Sequence, residues 1–116
     1  MAVHFTTDAP QALLREFDQR IAQTEPKGKL TTWEKSADGF YYTHKAVEWR
    51  AKAWMKPVVQ DRQLTFNTIR PQNANVSTLV YGYYHGHLTE TFLNHFDRMF
   101  GYGMSTAMPV TGDVVA

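Results

Sequence analysis

The 116-residue sequence predicts a single α+β domain built as a two-layer sandwich. Its expected parts are an antiparallel β-meander of four or five strands and two helices, one N-terminal and one C-terminal, packed on one face. Helical spacing of apolar residues near both ends, alternation across the middle and short turns lead to this expectation. The length suits one folded unit, residues 1–116, in which 1–7 and 102–116 are expected to be loosely ordered.

The first helix is predicted over about residues 9–24. Asp8 can act as N-cap, and Pro10 is compatible with the first turn because its missing N–H would have no helical partner. The helix should end near Glu25, before Pro26. The apolar residues that form one stripe along it are Leu13, Leu14, Phe17 and Ile21.

From residue 29 to residue 85 the pattern changes to the period of two that is typical of β-strands. A hairpin is predicted around Asp38 and Gly39, because an Asp-Gly pair readily adopts the positive φ angles of a tight turn. Strict alternation continues through AVEWRAKAWMK, which predicts a strand over residues 47–56. Two further strands are predicted from QLTFNTIR and NVSTLVYGYY.

The stretch YYHGHLTETFLNHF contains three histidines. From about His87, apolar residues at helical spacing predict the second helix, which should end at Gly101. His87 would point towards the polar side of this helix. His95 would lie at the edge of the apolar arc, as a partly buried, hydrogen-bonded structural residue. We therefore expect His95→Ala to lower the melting temperature and His87→Ala hardly to change it.

The residues His85, His87 and Glu90 are the candidates for a metal or hydrolytic site. Two imidazoles and a carboxylate form a plausible zinc set, although the spacing H-x-H-x-x-E is a weak signal. The alternative, which we favour, is that these residues bind no metal. His85 would then be a side chain at the end of a strand, His87 an exposed residue near the helix cap, and Glu90 a surface acid. The absence of cysteine excludes thiolate zinc sites and cysteine nucleophiles. We expect no catalytic residues, no metal and no cofactor, and hence no enzyme.

Basic residues are concentrated in the middle of the chain, although the net charge is only +1. Residues 27–70 carry nine basic and four acidic side chains. The predicted strand 47–56 would interleave an aromatic side chain with cations, which suits binding of phosphates and stacking of bases. The alternative is that these cations keep an exposed strand soluble. The residues of this candidate binding surface are Arg50, Lys52, Trp54, Lys56, Tyr81 and Tyr83.

The order helix, meander, helix resembles the double-stranded-RNA-binding domain in the order of its elements alone. That family carries a lysine cluster at the start of its second helix, where HGHLTE has an acid. No family is assigned from this resemblance.

Apolar residues occur on both parities of the predicted strands, so helices on one sheet face would leave a second apolar face. The tail 102–116, a second copy of the chain or a protein partner could cover it. We therefore expect a small non-enzymatic protein-binding or regulatory module that uses its sheet surface. Self-association into a homodimer is one form that this binding could take. Nucleic-acid binding through 47–56 is the alternative. Without a signal-peptide pattern or a bilayer-length apolar segment, a soluble cytoplasmic protein with no membrane partner is expected.

Overall fold

The structure is a computed structural model that describes residues 1–116. It contains a six-stranded antiparallel sheet in the order β2-β3-β4-β5-β1-β6 and two helices. The α+β class predicted from the sequence is confirmed, whereas the number and order of strands differ from the prediction. The elements are β1 (Ala2–Thr6), α1 (Pro10–Ala22), β2 (Trp33–Lys35), β3 (Tyr42–His44), β4 (Trp54–Gln60), β5 (Gln63–Ile69), α2 (Thr78–Phe96) and β6 (Gly103–Ser105).

Helix α1 agrees with its prediction to within two residues at each end. Pro10 lies in the first turn as expected, but the N-cap position is held by Ala9 and no side chain caps the helix. Asp8 instead forms an exposed ion pair with Arg62, 3.0 Å from carboxylate oxygen to guanidinium nitrogen. The Thr7 hydroxyl accepts a hydrogen bond from the N–H of Ala9. A hydrogen bond from the preceding loop, rather than a capping side chain at the N-cap position, therefore stabilises the start of α1.

The predicted hairpin is confirmed as β2 and β3, which pair from Trp33 with His44 to Lys35 with Tyr42. Gly39 has φ 82°, a conformation that glycine adopts without strain. The predicted strand QLTFNTIR corresponds to β5. It forms a seven-residue ladder with β4 across a two-residue turn.

The prediction of one strand over residues 47–56 is wrong for the residues before Trp54. Residues 47–51 form a helical turn, in which the N–H of Arg50 donates to the carbonyl of Ala46 over 2.8 Å, and β4 begins only at Trp54. The indole of Trp49 stacks on Tyr83 of α2 with ring centroids 4.0 Å apart. Packing of Trp49 against the helix layer therefore overrides the local alternation.

The prediction of a strand from NVSTLVYGYY is also wrong. Helix α2 begins at Thr78, about nine residues before the start predicted for the second helix. Ser77 is its N-cap, and the hydroxyl accepts from the N–H of Val80 over 3.2 Å. The helix ends at Phe96, short of the predicted Gly101. Its buried residues have helical spacing and are Tyr84, His85, Leu88, Thr91, Phe92 and Phe96.

The sheet takes its two remaining strands from the chain ends, where loose order was expected. Strand β1, which lies between β5 and β6, comes from residues 1–7, and the edge strand β6 comes from 102–116. Phe5 of β1 is fully buried and stacks on Phe92 of α2, with centroids 4.2 Å apart. An element order that begins and ends with a strand also differs from the helix, meander, helix order on which the stated resemblance depended.

Both helices pack on the same face of the sheet. Phe17 of α1 and Phe92 of α2 each contact Phe66 of β5, at centroid distances of 5.8 and 5.6 Å. The opposite face, here called the open face, carries the side chains of β4 and β5 that alternate with the core residues. Neither helix combines the length and the apolar character needed to cross a bilayer.

Candidate interaction surfaces

The six residues of the predicted binding surface do not lie together. Arg50 lies in the turn before β4, where its Nε is 2.8 Å from Oε1 of Glu34, and Lys52 lies just after that turn. Trp54 and Lys56 do share the open face of β4, since they are two residues apart on one strand.

The two tyrosines of the predicted surface belong to the other layer of the molecule, on α2. Tyr83 stacks on Trp49, and the hydroxyl of Tyr81 donates to the carbonyl of Ala107 over 3.2 Å. They cannot extend a surface formed by Trp54 across the sheet. The basic and aromatic stripe that motivated nucleic-acid binding is thus divided among a turn, one strand and a helix.

The histidines and glutamate considered as a metal or hydrolytic site do not converge. His85 and His87 are two positions apart on α2, which turns their side chains about 200° from each other. His85 is buried with its Nε2 3.3 Å from the Thr68 hydroxyl, and burial lowers its pKa to about 4. Glu90 is near His87 alone, at 3.9 Å. No group of three or more His, Cys, Asp or Glu residues is placed to hold a metal ion.

His87 lies within an aromatic cluster, in contrast to its predicted position on the polar side of the helix. Its ring stacks on Trp33 and Tyr83, at centroid distances of 5.5 and 5.9 Å, and its buried Nε2 has no hydrogen-bond partner. The neighbouring His44 accepts the N–H of Ala46 at Nδ1, so its proton lies on Nε2, 3.4 Å from the Tyr83 hydroxyl. Burial lowers the pKa of both histidines. This cluster is a packed, neutral part of the interior.

His95 is half-buried at the edge of the apolar arc, as predicted, but it forms no hydrogen bond to another residue. Its ring lies 6.0 Å from that of Phe96. Burial lowers its pKa, and Arg20 nearby acts in the same direction. The contacts of His95 are therefore much weaker than those of His87.

The open face of the sheet has an apolar end and a polar end. Trp54 of β4 is the cross-strand neighbour of Ile69 of β5, whereas at the other end Gln60 is opposite Gln63. At the polar end, His4 Nδ1 lies 2.8 Å from the Thr65 hydroxyl and 3.0 Å from the Gln63 amide nitrogen. Because this end is hydrogen-bonded internally, the half-buried apolar end is the part available to a ligand.

The C-terminal tail covers one region of the sheet, next to Asn67. The Asn67 amide donates to the carbonyl of Thr111 over 3.1 Å and to the carboxylate of Asp113 over 2.8 Å. Val114 then forms a bridge with Ile69 where β5 extends beyond β1. The tail thus completes the β5 edge and leaves Trp54 accessible.

Strand β6 is an outer edge of the sheet. Its inner side is paired with β1: Thr6 N–H donates to the carbonyl of Tyr102 over 3.0 Å, and Thr106 N–H donates to the carbonyl of Ala2 over 2.9 Å. Because successive residues of an antiparallel strand alternate in the direction of their backbone groups, Gly103 and Ser105 direct theirs away from the sheet. The outer side of β6 thus presents free donors and acceptors.

The surface includes two clefts that are lined in part by charged side chains. The larger, about 560 Å³, lies beside the start of α1 and includes the side chains of Arg62 and Arg98. The smaller, about 310 Å³, lies at the apolar end of the open face between Trp54, Tyr41 and Arg70. Apart from Trp54, its residues were missed in the sequence because they are distant along the chain and meet only when β4 and β5 pair.

Comparison with known proteins gives no assignment for this chain. No family model matches it. No curated protein is significantly similar to it. No solved structure matches its fold significantly.

Proposed function

We propose that this protein is a non-enzymatic protein-binding module that self-associates through the outer side of β6. The observation that carries this proposal is an unpaired sheet edge at Gly103 and Ser105 that lies among exposed apolar side chains. An exposed strand edge can accept a strand from another chain, because its free N–H and C=O groups are already arranged for a ladder.

Apolar side chains are concentrated on and after this edge. Tyr102 is 73% exposed, Met104 is 45% exposed and Met108 is 74% exposed. Removing such side chains from water would add a hydrophobic contribution to the backbone pairing. Backbone hydrogen bonds would thus set the register of the two paired strands, and burial of the apolar side chains would provide most of the stabilisation of the complex.

The edge also lacks the charged side chains that commonly protect exposed strands. No charged residue occurs from Met99 to Gly112, and the carboxylate of Asp113 is occupied by Asn67 and by the backbone N–H of Thr68. The charged group nearest this edge is the N-terminal ammonium of Met1, which is paired with Asp113 at 2.9 Å, so a bound strand would meet little charge repulsion at β6.

The opposite edge of the sheet shows the contrast. Strand β2 carries Glu34 and Lys35, which form ion pairs with Arg50 at 2.8 Å and with Asp18 at 3.1 Å. Charges of this kind disfavour addition of a further strand. Of the two edges, β6 is therefore the one suited to pairing.

A second copy of the chain is the partner that this edge fits. An uncharged strand is compatible with itself, and two antiparallel β6 strands related by a twofold axis would place the same surface on both sides of the contact. A single short strand buries less area than the roughly 800 Å² per partner of a standard interface. We therefore expect a dimer in the micromolar range of dissociation constants.

Sedimentation equilibrium of the full chain, at concentrations up to roughly 100 μM, tests this proposal. The wild type should dimerise, and the double variant Tyr102→Lys, Met104→Lys should be monomeric because two like-charged edges repel each other. The variant Val47→Lys is the matched control, since Val47 is 88% exposed in the turn that precedes β4.

Loss of the dimer in the double variant and its retention in Val47→Lys would support pairing at β6. A wild type that remains monomeric throughout this concentration range would contradict it. So would a double variant that dimerises as well as the wild type.

A further inference from the structure

The smaller cleft on the open face has the features of a ligand site. It lies where the β2–β3 hairpin meets the end of β5, and its volume is about 310 Å³, within the usual range for sites of small molecules. The residues that line it are Ser36, Asp38, Tyr41, Trp54, Ile69, Arg70, Pro71 and Gln72.

Arg70 provides an uncompensated positive charge in this cleft. Its Nη1 donates to the carbonyls of Pro71 and Gln72, at 3.3 and 3.2 Å, which holds the guanidinium in place. No ion pair includes Arg70, and its buried Nε has no hydrogen-bond partner. Because Nε is enclosed by protein and Nη1 is already hydrogen-bonded, Nη2 is the nitrogen left free to donate to a carboxylate.

Asp38 provides a negative charge that is also unpaired. Its Oδ1 accepts hydrogen bonds from the Ser36 hydroxyl over 2.5 Å and from the N–H of Phe40 over 3.0 Å. These bonds lower the pKa of Asp38 and keep it ionised, while Oδ2 makes no hydrogen bond. A free carboxylate oxygen at the cleft favours a donor that is positively charged.

Aromatic and apolar surface completes the cleft. The indole of Trp54 and the side chain of Ile69 are cross-strand neighbours, and both are half-buried. Tyr41, also half-buried, adds a second ring from the hairpin. A flat or apolar group would be removed from water against these side chains.

We infer that this cleft binds a free α-amino acid with an aromatic or large apolar side chain. Its carboxylate would bind Nη2 of Arg70, its ammonium group would face Oδ2 of Asp38, and its side chain would pack against Trp54 and Tyr41. Opposite charges on two parts of one small cleft select a zwitterion over a simple anion or cation, because either of those would meet one like charge. The inference does not depend on self-association through β6.

Titration calorimetry of the full chain with L-phenylalanine tests this site, and two analogues isolate the two charges. 3-Phenylpropionate lacks the ammonium group, and 2-phenylethylamine lacks the carboxylate. We expect L-phenylalanine to bind and each analogue to bind at least about tenfold more weakly, since each leaves one charged residue without its partner.

Two variants assign the charges to residues. Arg70→Met should abolish binding of L-phenylalanine. Asp38→Asn, at an exposed position, should weaken binding of L-phenylalanine at least about tenfold, whereas 3-phenylpropionate should bind more tightly because its carboxylate no longer meets a like charge. The matched control is Lys56→Gln, which removes a charge from the same face outside the cleft and should bind as the wild type does.

The inference is overturned if L-phenylalanine, L-tryptophan and L-leucine all fail to bind at concentrations up to roughly 10 mM. It is equally overturned if Asp38→Asn binds L-phenylalanine as tightly as the wild type, or if 3-phenylpropionate matches the amino acid. A wild type that binds the amino acid as a monomer would support the cleft and contradict only the β6 dimer.

Discussion

The imidazole rings of His44 and His87 lie 4.5 Å apart between centroids, one on β3 and the other on α2. Trp33 and Tyr83 surround them, so the pair connects the edge of the sheet to the helix layer. Both rings are neutral at neutral pH because burial lowers their pKa values, and His87 further opposes protonation of His44. The acidic side chains that favour protonation, Glu48 near His44 and Glu90 near His87, have the smaller effect.

The free energy of unfolding should therefore fall as the pH decreases from about 6.5 to about 4. In the unfolded chain these histidines titrate near pH 6.5, whereas His85 in the folded chain titrates at about 4. The unfolded state then binds more protons within this window, so stability is complete above it and is lost towards its lower end. One pKa unit corresponds to about 1.4 kcal/mol, so His85 alone contributes on the order of 3 kcal/mol.

Urea unfolding at a series of pH values checks this prediction. The variant His85→Leu should show a smaller decrease in stability between pH 7 and pH 4.5, since it removes the most strongly shifted group. The variant Val47→Ala provides a control, because it changes an exposed side chain that does not titrate and should leave the slope in this window unchanged. A wild-type stability that does not change between pH 7 and pH 4.5 would contradict the buried neutral state.

Thr91→Val should destabilise the protein by about 1–3 kcal/mol. The Trp33 indole N–H donates to the Thr91 hydroxyl over 3.0 Å, both side chains are buried, and valine would leave the donor unpaired. Thr91→Ser retains the hydroxyl and should lose less stability than the valine variant. Chemical unfolding of the three proteins measures the difference, and equal stability of the valine and serine variants would show that this bond is unimportant.

His87→Ala should destabilise the protein more than His95→Ala, which reverses the expectation from the sequence. His87 packs between Trp33, Tyr83 and His44, whereas His95 has only an edge contact with Phe96. We expect a loss of about 1–3 kcal/mol for His87→Ala and less than about 1 kcal/mol for His95→Ala. Melting temperatures of both variants provide the comparison.

The variant His87→Phe separates packing from hydrogen bonding at this position. It keeps a ring of similar shape and removes the unpaired buried Nε2, so it should be at least as stable as the wild type. If His87→Phe and His87→Ala lost equal stability, the imidazole would be needed for a polar interaction rather than for packing.

Gly82→Ala should stabilise the protein by roughly 0.5–1 kcal/mol. Gly82 lies within α2, and an added Cβ would meet no atom within 4 Å. Gly112→Ala is the opposite case, because Gly112 has φ 98° and its Cβ would lie 2.6 Å from the Asn67 side chain. Thermal unfolding should therefore rank Gly82→Ala above the wild type and Gly112→Ala below it. A destabilised Gly82→Ala would contradict a helix over this segment.

Helices and turns that are selected by residues close together in the chain were predictable from the sequence. The stripe of Leu13 and Phe17 defines α1, and the Asp38-Gly39 pair defines a hairpin through the conformational freedom of glycine. The missed start of α2 also had a local signal, since Ser77 precedes an apolar run and is a favourable N-cap. Alternating apolar residues in the same run were taken instead to indicate a strand.

The sequence by itself determined the α+β class, α1 and the hairpin of β2 and β3, because the interactions that select them act within a few residues. Only the tertiary structure decided that the chain ends supply β1 and β6, since a strand depends on partners elsewhere in the sequence. The positions of both proposed sites also depend on the tertiary structure. The free edge at Gly103 exists because β6 is outermost, and the cleft exists because pairing of β4 with β5 brings Trp54 beside Arg70.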